Sequence, residues 1–575
     1  MHIVRYPYGI SNFEKIRREG QVFVDKTPFI PLLEEYSNVV YLRPRRFGKS
    51  LFVSLLGYYY DIRHKERFEA LFAQLYIGKN PTALASSFRI LNFNFSGINT
   101  DTIEEAKKGF NVSVEGSLRE FFKNYPAVFS KMQQKAIIEA VDAEKMLKLF
   151  FSEYPEDTKI YVLIDEYDHF TNEILVKNIQ DFKAVVSLNG YVRKFYETIK
   201  NATQQGSVDR FFITGVSPIT LDSLTSGFNI VKHLTHHKTF EAMMGFSEAE
   251  VQELLSLVLE DKSREGQIMQ DLRDYYNGYR FYPLSEQNIY NSDMVLYFLD
   301  HFKHDQTYPR QMLDPNIAPD YGKLKQMFKV ANLQANLQVL EEVLEKGIVE
   351  SEQIYQFHFE KDFGKKEFVN FLFYLGNLTL QEVYSNGILA FRVPNKVIEE
   401  LYWKFYSEVL QGYAGLSYFQ DEVQMAVSEM ALTGNPEKFF ALIEKLLQKL
   451  SNRDFIRFDE KHIKMIFVAY LVQSNIFWVQ SEREIEGGKY IDLELFIRPN
   501  NPNTHHQFAL ELKYLKKEQE NLLKATMQEA KKQLWAYYTD DEVLQGKELL
   551  HLWAIVVVKN KVFFEKIPLI NASNG

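Results

Sequence analysis

Four short apolar runs alternate with helical stretches in the first part of the chain. They span residues 39–42, 89–95, 160–165 and 210–214. Continuous apolar runs of this length are typical of strands that helices cover on both faces, as in a parallel sheet. We therefore predict an α/β core with a parallel sheet over residues 1–240.

The pattern then becomes helical. Residues 246–300 have helical character and begin with Ser247 and Glu250, the spacing of a capping box. A looser stretch over 304–322 contains three prolines and predicts a linker. We predict a helical lid and linker over residues 241–322.

The next region, residues 323–452, is mainly helical. Within it, residues 384–393 alternate around Asn386-Gly387, a pair that favours a β-hairpin turn. A helix-rich segment with one hairpin fits a winged helix, and it fits helical packing with an incidental hairpin equally well. Both interpretations stay open on the sequence.

The last region, residues 453–575, changes pattern again and predicts a compact α/β domain. Its predicted elements are a helix at 461–472, strands at 490–497 and 507–512, a lysine-rich helix at 516–538 and a strand at 551–558.

Composition narrows the class of protein. The 575 residues include no cysteine, which excludes disulfides, thiolate zinc sites and cysteine nucleophiles. A net charge of −9 argues against a globally basic protein that coats nucleic acid, although a local basic groove stays open. The N-terminus lacks a signal-peptide pattern, and no run reaches the roughly 20 apolar residues of a membrane span. We expect a soluble cytoplasmic protein.

Lysines cluster between residues 513 and 532. Glutamates are interspersed among them, so a solvated helix face and a basic groove are both open.

A candidate nucleotide-binding loop follows the first predicted strand. Gly48, Lys49 and Ser50 supply the last three positions of G-x-x-x-x-G-K-[ST], in which backbone N–H groups and a lysine bind phosphates and a hydroxyl binds Mg²⁺. Arg43 replaces the first glycine of that pattern. The sequence predicts ATP binding by Arg46, Phe47, Gly48, Lys49, Ser50 and Leu51.

A second strand should bring acidic residues to the metal. Residues 160–165 end in Asp165, followed by Glu166. We predict that Asp165 binds Mg²⁺ with Ser50 and that Glu166 polarises the attacking water. At the end of the next strand, Thr214 or Ser217 is a candidate sensor of the γ-phosphate, and a strand-end cap is an equal alternative.

Several segments together resemble the AAA-ATPase-like family, many prokaryotic members of which carry a C-terminal PD-(D/E)XK nuclease domain. They are Gly9–Phe13, Val24–Thr27, Arg43–Ser50, Asp165–Asp168, Thr214–Ser217 and Tyr276–Phe281. In that family the missing first glycine is normal, so Arg43 is no sign of decay. The resemblance also implies a helical lid that begins near Phe246.

Three arginines acquire candidate roles from this resemblance. Arg280 becomes a candidate cation that reaches the nucleotide from the lid, with core packing as the alternative. Arg45 and Arg46 are candidates to contact phosphate or a neighbouring domain.

The C-terminal region carries its own chemistry. Asp492 lies on one predicted strand, and Glu511 and Lys513 lie two positions apart on another, so their side chains share a face. If the strands pair, Asp492, Glu511 and the carbonyl of Leu512 form an oxygen-rich site for Mg²⁺ or Mn²⁺, and Lys513 orients water or stabilises phosphate charge. This is the PD-(D/E)XK constellation. An intact nuclease site and a fold retained without activity are both open.

Flanking residues resemble further elements of this superfamily. Glu460 lies on the preceding helix, where another carboxylate is often found. Gln533 and Tyr537, on the following helix, resemble a Q-x-x-x-Y element.

The histidine clusters favour no metal site. His233, His236 and His237 are interpreted as a solvated loop, because no nearby carboxylate pattern completes a ligand set. His505 and His506 are expected in a hairpin loop, where contact with water is favoured and contact with DNA is the alternative.

The leading hypothesis is an ATP-binding and ATP-hydrolysing protein that controls a Mg²⁺-dependent nuclease domain acting on DNA. The alternative is a nucleotide-dependent switch or scaffold whose nuclease-like domain binds nucleic acid or protein without cleavage. RNA stays open as a substrate, an oligomer stays open, and Arg193 and Arg210 are weak candidates for an arginine finger.

Overall fold

A computed structural model gives the fold of this protein. It describes residues 4–155, 157–187, 189–223, 228–316, 324–354, 357, 363–384, 387–450, 459–485, 488–498 and 506–569. The chain forms two compact units, which we describe separately. The first comprises Met1–Gln306, Asn316–Val339 and Ile348–Lys396, and the second comprises Thr307–Pro315, Leu340–Gly347 and Val397–Gly575.

A parallel five-stranded sheet forms the core of the first unit. Its strands are β1 (Asn38–Leu42), β2 (Arg89–Asn94), β3 (Ile160–Asp165), β4 (Val208–Gly215) and β5 (Lys232–His233). They lie in the order β2-β3-β4-β1-β5. The four predicted strands are confirmed, and β4 separates β1, which precedes the phosphate loop, from β3, which ends in Asp165. The carboxyl ends of β1, β3 and β4 therefore meet at one edge of the sheet.

Amphipathic helices cover this sheet, and aromatic side chains form much of the core between the helices and the sheet. Phe110 and Phe195 pack against Phe95 of the segment after β2, with ring centres 4.9 Å and 5.4 Å away. The helices up to β5 are Phe13–Arg18, Phe29–Leu33, Lys49–Tyr60, Phe68–Phe72, Tyr76–Lys79, Ile103–Asn124, Lys131–Ile138, Ala143–Ser152, His169–Lys177, Ile179–Val186, Tyr191–Gln204 and Ile219–Ser223.

The lid region is less continuous than its sequence pattern predicts. It contains helices Glu248–Ser256, Glu265–Tyr276 and Ser292–Asp305, and Ser247 with Glu250 forms the predicted capping box. Residues 277–291 are irregular instead of helical, because Gly278 adopts a φ of 95° and Pro283 cannot continue a helix.

A small antiparallel sheet completes the first unit. Its strands are β6 (Ile348–Glu352), β7 (Thr379–Val383) and β8 (Ile388–Arg392), in the order β6-β8-β7. The predicted hairpin β7–β8 is confirmed, although Asn386 of its turn lies outside the described residues. The sequence missed β6, which is short and half polar. The winged-helix interpretation stays a prediction. The first unit also contains helices Leu324–Phe328 and Lys365–Tyr374, and the helix Leu333–Lys346 begins in the first unit and ends in the second.

The second unit is built on a mixed five-stranded sheet. Its strands are β9 (Phe477–Ile485), β10 (Lys489–Ile497), β11 (Gln507–Leu515), β12 (Leu550–Val558) and β13 (Lys561–Ile567), in the order β13-β12-β11-β10-β9. Only β11 and β12 pair in parallel. The three predicted strands are confirmed. The sequence missed β9 and β13, because both are edge strands with exposed polar side chains that blur the apolar pattern.

Helices make up most of the rest of the second unit. They are Lys396–Ala414, Phe419–Thr433, Glu437–Leu450, Glu460–Leu471, Leu523–Asp540 and Glu542–Gln545. Among all the described residues, none of the helices has both the length and the apolar content that crossing a bilayer demands.

Candidate nucleotide and nuclease sites

The candidate phosphate loop joins β1 to the helix Lys49–Tyr60. Gly48, which precedes the helix, has a φ of 84°, a conformation that favours glycine and lets backbone N–H groups approach an anion at the helix N-terminus. The Nζ atom of Lys49 donates to the carbonyl oxygen of Pro44 at 2.8 Å. Burial lowers the pKa of Lys49 to about 8, and the nearby carboxylates of Glu166 and Asp165 oppose that shift.

Arg43, which replaces the first glycine, is a buried anchor. Its guanidinium donates to the carbonyl oxygens of Thr235 at 2.9 Å and Glu241 at 3.1 Å. The same group lies over the rings of Tyr41 and Phe281, 4.2 Å and 4.0 Å from their centres. Arg43 therefore connects the start of the loop to distant segments of the same unit.

The Tyr276–Phe281 segment supports the loop from the lid side. The ring of Phe47 meets the rings of Tyr279 and Phe281 edge-on, with centres 4.9 Å and 5.6 Å apart. Arg280 points elsewhere: its Nη1 atom donates to the carbonyl oxygen of Gln381 on β7 at 2.9 Å. Of the two interpretations of Arg280, packing is the one that this geometry matches.

The acidic pair ends β3 beside the loop. The carboxylate of Asp165 is buried and accepts a hydrogen bond from the Ser50 side chain; burial raises the pKa of Asp165, and the Ser50 bond opposes this. A buried carboxylate next to a hydroxyl is a donor set that suits Mg²⁺. The carboxylate of Glu166 faces Nδ1 of His169 at 2.9 Å, and this hydrogen bond is the main reason that the pKa of Glu166 is lowered.

The two candidate γ-phosphate sensors are buried in the fold. The hydroxyl of Thr214 donates to the carbonyl oxygen of Tyr41 at 2.8 Å, within the β1–β4 pair. The hydroxyl of Ser217 bonds the side-chain oxygen of Asn172 at 2.9 Å. Both hydroxyls are fully buried, and these contacts match the strand-end alternative better than a sensor.

A cavity of about 520 Å³ lies over the loop. All six predicted loop residues, from Arg46 to Leu51, line it, together with Glu166 and His169. Its other walls are largely apolar and suit a nucleotide base. The sequence analysis predicted no nucleotide contact for these wall residues, which include Ile10, Phe23, Val24, Met243, Phe246 and Leu254. The family-like segments Gly9–Phe13 and Val24–Thr27 were the sequence feature that could have pointed to this wall.

The weak arginine-finger candidates are engaged within their own unit. Arg193 donates to Glu197 at 2.9 Å, and Arg210 donates to Asp209 at 3.2 Å. Both side chains are mostly buried.

The second site forms where β10 and β11 pair. The antiparallel register sets Leu493 opposite Leu510, which brings Asp492 next to Glu511 and Lys513, as the sequence predicted. The Nζ atom of Lys513 lies 2.9 Å from Oε1 of Glu511, and the backbone N–H of Leu512 donates to Asp492 at 2.9 Å.

Glu511 has the character of a metal ligand. Its Oε2 atom is buried and has no hydrogen-bond partner within the described residues. Burial, followed by the charge of Asp492, raises the pKa of Glu511 to about 7. A divalent cation beside this orphaned oxygen would stabilise the ionised carboxylate, so the donor set fits Mg²⁺ or Mn²⁺.

Two polar residues near Asp492 were missed by sequence reasoning. Lys464, on the helix Glu460–Leu471, places its Nζ atom 3.5 Å from Oδ1 of Asp492 and contacts Glu482 of β9. Glu482 has a φ of 54° within its strand, a conformation rare for glutamate. Glu482 was missed because edge strand β9 was not predicted, whereas Lys464 lies on the predicted helix at 461–472 and no motif singled it out.

Of the flanking residues, Glu460 lies near this site, and Gln533 and Tyr537 contact each other. Glu460 begins its helix, with Oε1 3.7 Å from Nζ of Lys513. Gln533 donates to the hydroxyl of Tyr537 at 2.7 Å. In the lysine-rich segment, Lys531 pairs with Glu565 at 2.7 Å, whereas Lys524 and Lys532 are exposed.

The histidine expectations need correction. His236 is only partly exposed, and both of its ring nitrogens contact protein groups: Nδ1 lies 2.8 Å from the carbonyl oxygen of Phe281, and Nε2 lies 2.9 Å from the hydroxyl of Tyr374. His506 contacts the imidazole of His551 at 2.8 Å, while His505 lies outside the described residues. Across the described ranges, no group of three or more histidine, aspartate or glutamate side chains is arranged to hold a metal.

Comparison with known families agrees with this division of the chain. Residues 7–225 match the family described as predicted AAA-ATPase. Residues 458–567 match the PD-(D/E)XK nuclease superfamily. The chain thus carries a predicted AAA-ATPase domain near its N-terminus and a PD-(D/E)XK nuclease superfamily domain near its C-terminus. The first family is described as an ATPase family and the second as a nuclease superfamily.

The chain also resembles individual proteins. It is 26% identical over 313 residues to an uncharacterised protein in the vnfD 5′ region of Azotobacter chroococcum mcd 1, and the match covers 51% of this chain and 52% of that protein. The match thus spans about half the length of this curated relative.

Among solved structures, the chain is similar to a Walker-type ATPase of Pyrococcus abyssi, with 9% identity and a TM-score of 0.38, over 70% of this chain and 98% of that one.

Proposed function

We propose that the AAA-ATPase domain binds and hydrolyses ATP, that the C-terminal domain cleaves phosphodiester bonds in DNA with a divalent metal, and that nucleotide binding controls cleavage. The single observation that carries the nuclease proposal is the meeting of Asp492, Glu511 and Lys513 on paired strands. There, one buried oxygen of Glu511 has no hydrogen-bond partner in the described part of the chain.

At the nucleotide site, the loop residues bind and orient the phosphates. Lys49 exchanges its bond to the Pro44 carbonyl for the β- and γ-phosphates, and the helix N-terminus adds backbone donors. Ser50 and Asp165 would hold Mg²⁺, which neutralises phosphate charge when bound. Glu166 accepts the proton of the attacking water.

At the nuclease site, Asp492, Glu511 and the carbonyl of Leu512 would hold Mg²⁺ or Mn²⁺, which acts as a Lewis acid on the phosphodiester. Lys513 orients the attacking water and stabilises charge that develops on the phosphate. Its contacts with Glu511 and Glu460 hold the ammonium at this position.

Nucleotide-dependent scaffolding without cleavage is the second candidate function. One observation favours it: Lys464 and Lys513 already pair with Asp492 and Glu511, as expected at a site where lysines have replaced a metal.

The proposed domain limits are the same in either case: a core at 1–240, a lid at 241–322, a middle region at 323–452 and a nuclease domain at 453–575.

Cleavage assays on the full chain separate these functions. Supercoiled plasmid, single-stranded DNA and single-stranded RNA are incubated with the protein and Mg²⁺ or Mn²⁺. We expect DNA cleavage that falls by about 100-fold or more in Asp492→Ala and Lys513→Ala. Asp540→Ala removes a half-exposed carboxylate that pairs with Lys489, and it serves as the matched control. If the protein cleaves RNA but not DNA, RNA replaces DNA as the proposed substrate. If the wild type cleaves none of the three nucleic acids, the result favours the scaffold function.

A further inference from the structure

His169 holds the carboxylate of Glu166 from the first turn of the helix His169–Lys177. The Nδ1 atom of His169 lies 2.9 Å from Oε2 of Glu166. Both side chains line the nucleotide cavity over Lys49. The pair is therefore located where the terminal phosphate of a bound nucleotide would be attacked.

The imidazole is itself fixed by a chain of polar contacts. Its Nε2 atom lies 3.4 Å from Oε1 of Glu173, one turn further along the helix. Thr100, in the loop after β2, donates to Oε2 of Glu173 at 3.1 Å. Lys177, a further turn along, donates to the carbonyl oxygen of Thr100 at 2.9 Å. Contacts on both ring nitrogens leave the imidazole little freedom to rotate away from Glu166.

Glu166 needs such support because its backbone is strained. It has a φ of 49°, in the left-handed region that glutamate rarely adopts. Conformations of this kind persist only where surrounding contacts enforce them, and they cluster at functional sites.

We propose that His169 is a positioning residue for Glu166. By binding Oε2, the imidazole leaves Oε1 as the oxygen that accepts the proton of the attacking water. This inference rests on the proposed ATP hydrolysis. His169 contacts neither nucleotide nor metal in this role, and it acts only by orienting the base.

Steady-state kinetics of the full chain test the inference. We expect His169→Ala to lower kcat for ATP hydrolysis by about tenfold, with KM for ATP and the affinity for ADP changed by less than about twofold. His169→Asn, which keeps a donor near the position of Nδ1, should restore most of the rate. His301→Ala removes an exposed histidine of the helix Ser292–Asp305 and should leave kcat unchanged.

A double-mutant cycle distinguishes positioning from general stabilisation. If His169 acts through Glu166, adding His169→Ala to Glu166→Gln should cause no further loss of rate. Additive losses, an unchanged kcat or a faster kcat in His169→Ala would each overturn the inference while leaving the proposed function intact. If the wild type binds ATP without hydrolysing it, the proposed hydrolysis and this inference are both wrong.

Discussion

The guanidinium carbon of Arg43 lies 4.0 Å from the ring centre of Phe281, although the two residues belong to distant parts of the sequence. The same guanidinium donates to the carbonyls of Thr235 and Glu241. The residue that breaks the usual phosphate-loop pattern thus fastens the loop to the rest of the unit.

Restoring the pattern should therefore harm the protein. Arg43→Gly recreates G-x-x-x-x-G-K-S but leaves buried carbonyls without their donor, so we expect a loss of about 2–4 kcal/mol in the free energy of unfolding. We also expect weaker ATP binding, because the loop loses its anchor. Urea unfolding and ATP titration measure both, and Arg43→Lys tests whether charge alone suffices. Unchanged stability with tighter ATP binding would contradict this role of Arg43.

Glu166→Gln should separate binding from hydrolysis. The amide keeps the shape of the side chain but cannot accept the proton of water, so we expect a kcat lower by about 100-fold or more with ATP affinity retained. Hydrolysis assays and nucleotide titration on one preparation measure the two effects. Equal loss of binding and hydrolysis would indicate a structural role for Glu166 instead.

Gly278 should tolerate no side chain. A Cβ atom there would lie 1.9 Å from the carbonyl oxygen of Pro394, and the φ of 95° is already unfavourable for other residues. We expect Gly278→Ala to cost several kcal/mol of stability, on the order of 2–4, and to loosen the Tyr276–Phe281 support of the loop. Gly266→Ala is the matched control, because a Cβ there meets nothing within 4 Å in the helix Glu265–Tyr276. Equal melting temperatures for both variants would refute this steric account.

His236 should make the stability of the first unit depend on pH. Burial, with smaller effects from the charges of Arg43 and His233, lowers the pKa of His236 from 6.5 to about 4. The unfolded chain therefore binds a proton at a higher pH than the folded one, so this contribution is complete above pH 6.5 and is lost as the pH falls towards 4.

We expect the wild type to lose about 1–3 kcal/mol through this residue over that interval, whereas His236→Gln should not. Unfolding in urea at a series of pH values measures the difference. Parallel declines in the wild type and the variant would show that another group is responsible.

The sequence predicted the parts of the site that short local motifs encode, and it did not predict the parts that depend on contacts between remote segments. Gly48-Lys49-Ser50 and Asp165-Glu166 are recognisable because the residues that would act together in each motif are adjacent in the sequence. The role of Arg43 was not predictable, since its partners Thr235 and Glu241 lie far along the chain.

The same reason accounts for the errors elsewhere. His236 was interpreted as solvated because the segments that bury it, around Phe281 and Tyr374, are remote in sequence. In the nuclease domain, Glu511 and Lys513 were predicted from period-two spacing. Glu482 was missed because edge strand β9 lacks an apolar pattern, and Lys464 was missed because its contacts with Asp492 and Glu482 form only in the fold.

Control of cleavage by the nucleotide site is the central claim, and the rate of plasmid cleavage with and without ATP tests it most directly. We expect ATP to change the cleavage rate of the wild type several-fold, and to have no effect on Lys49→Ala, whose phosphate loop lacks its lysine. Wild-type and Lys49→Ala proteins that cleave at the same rate with and without ATP would contradict the claim.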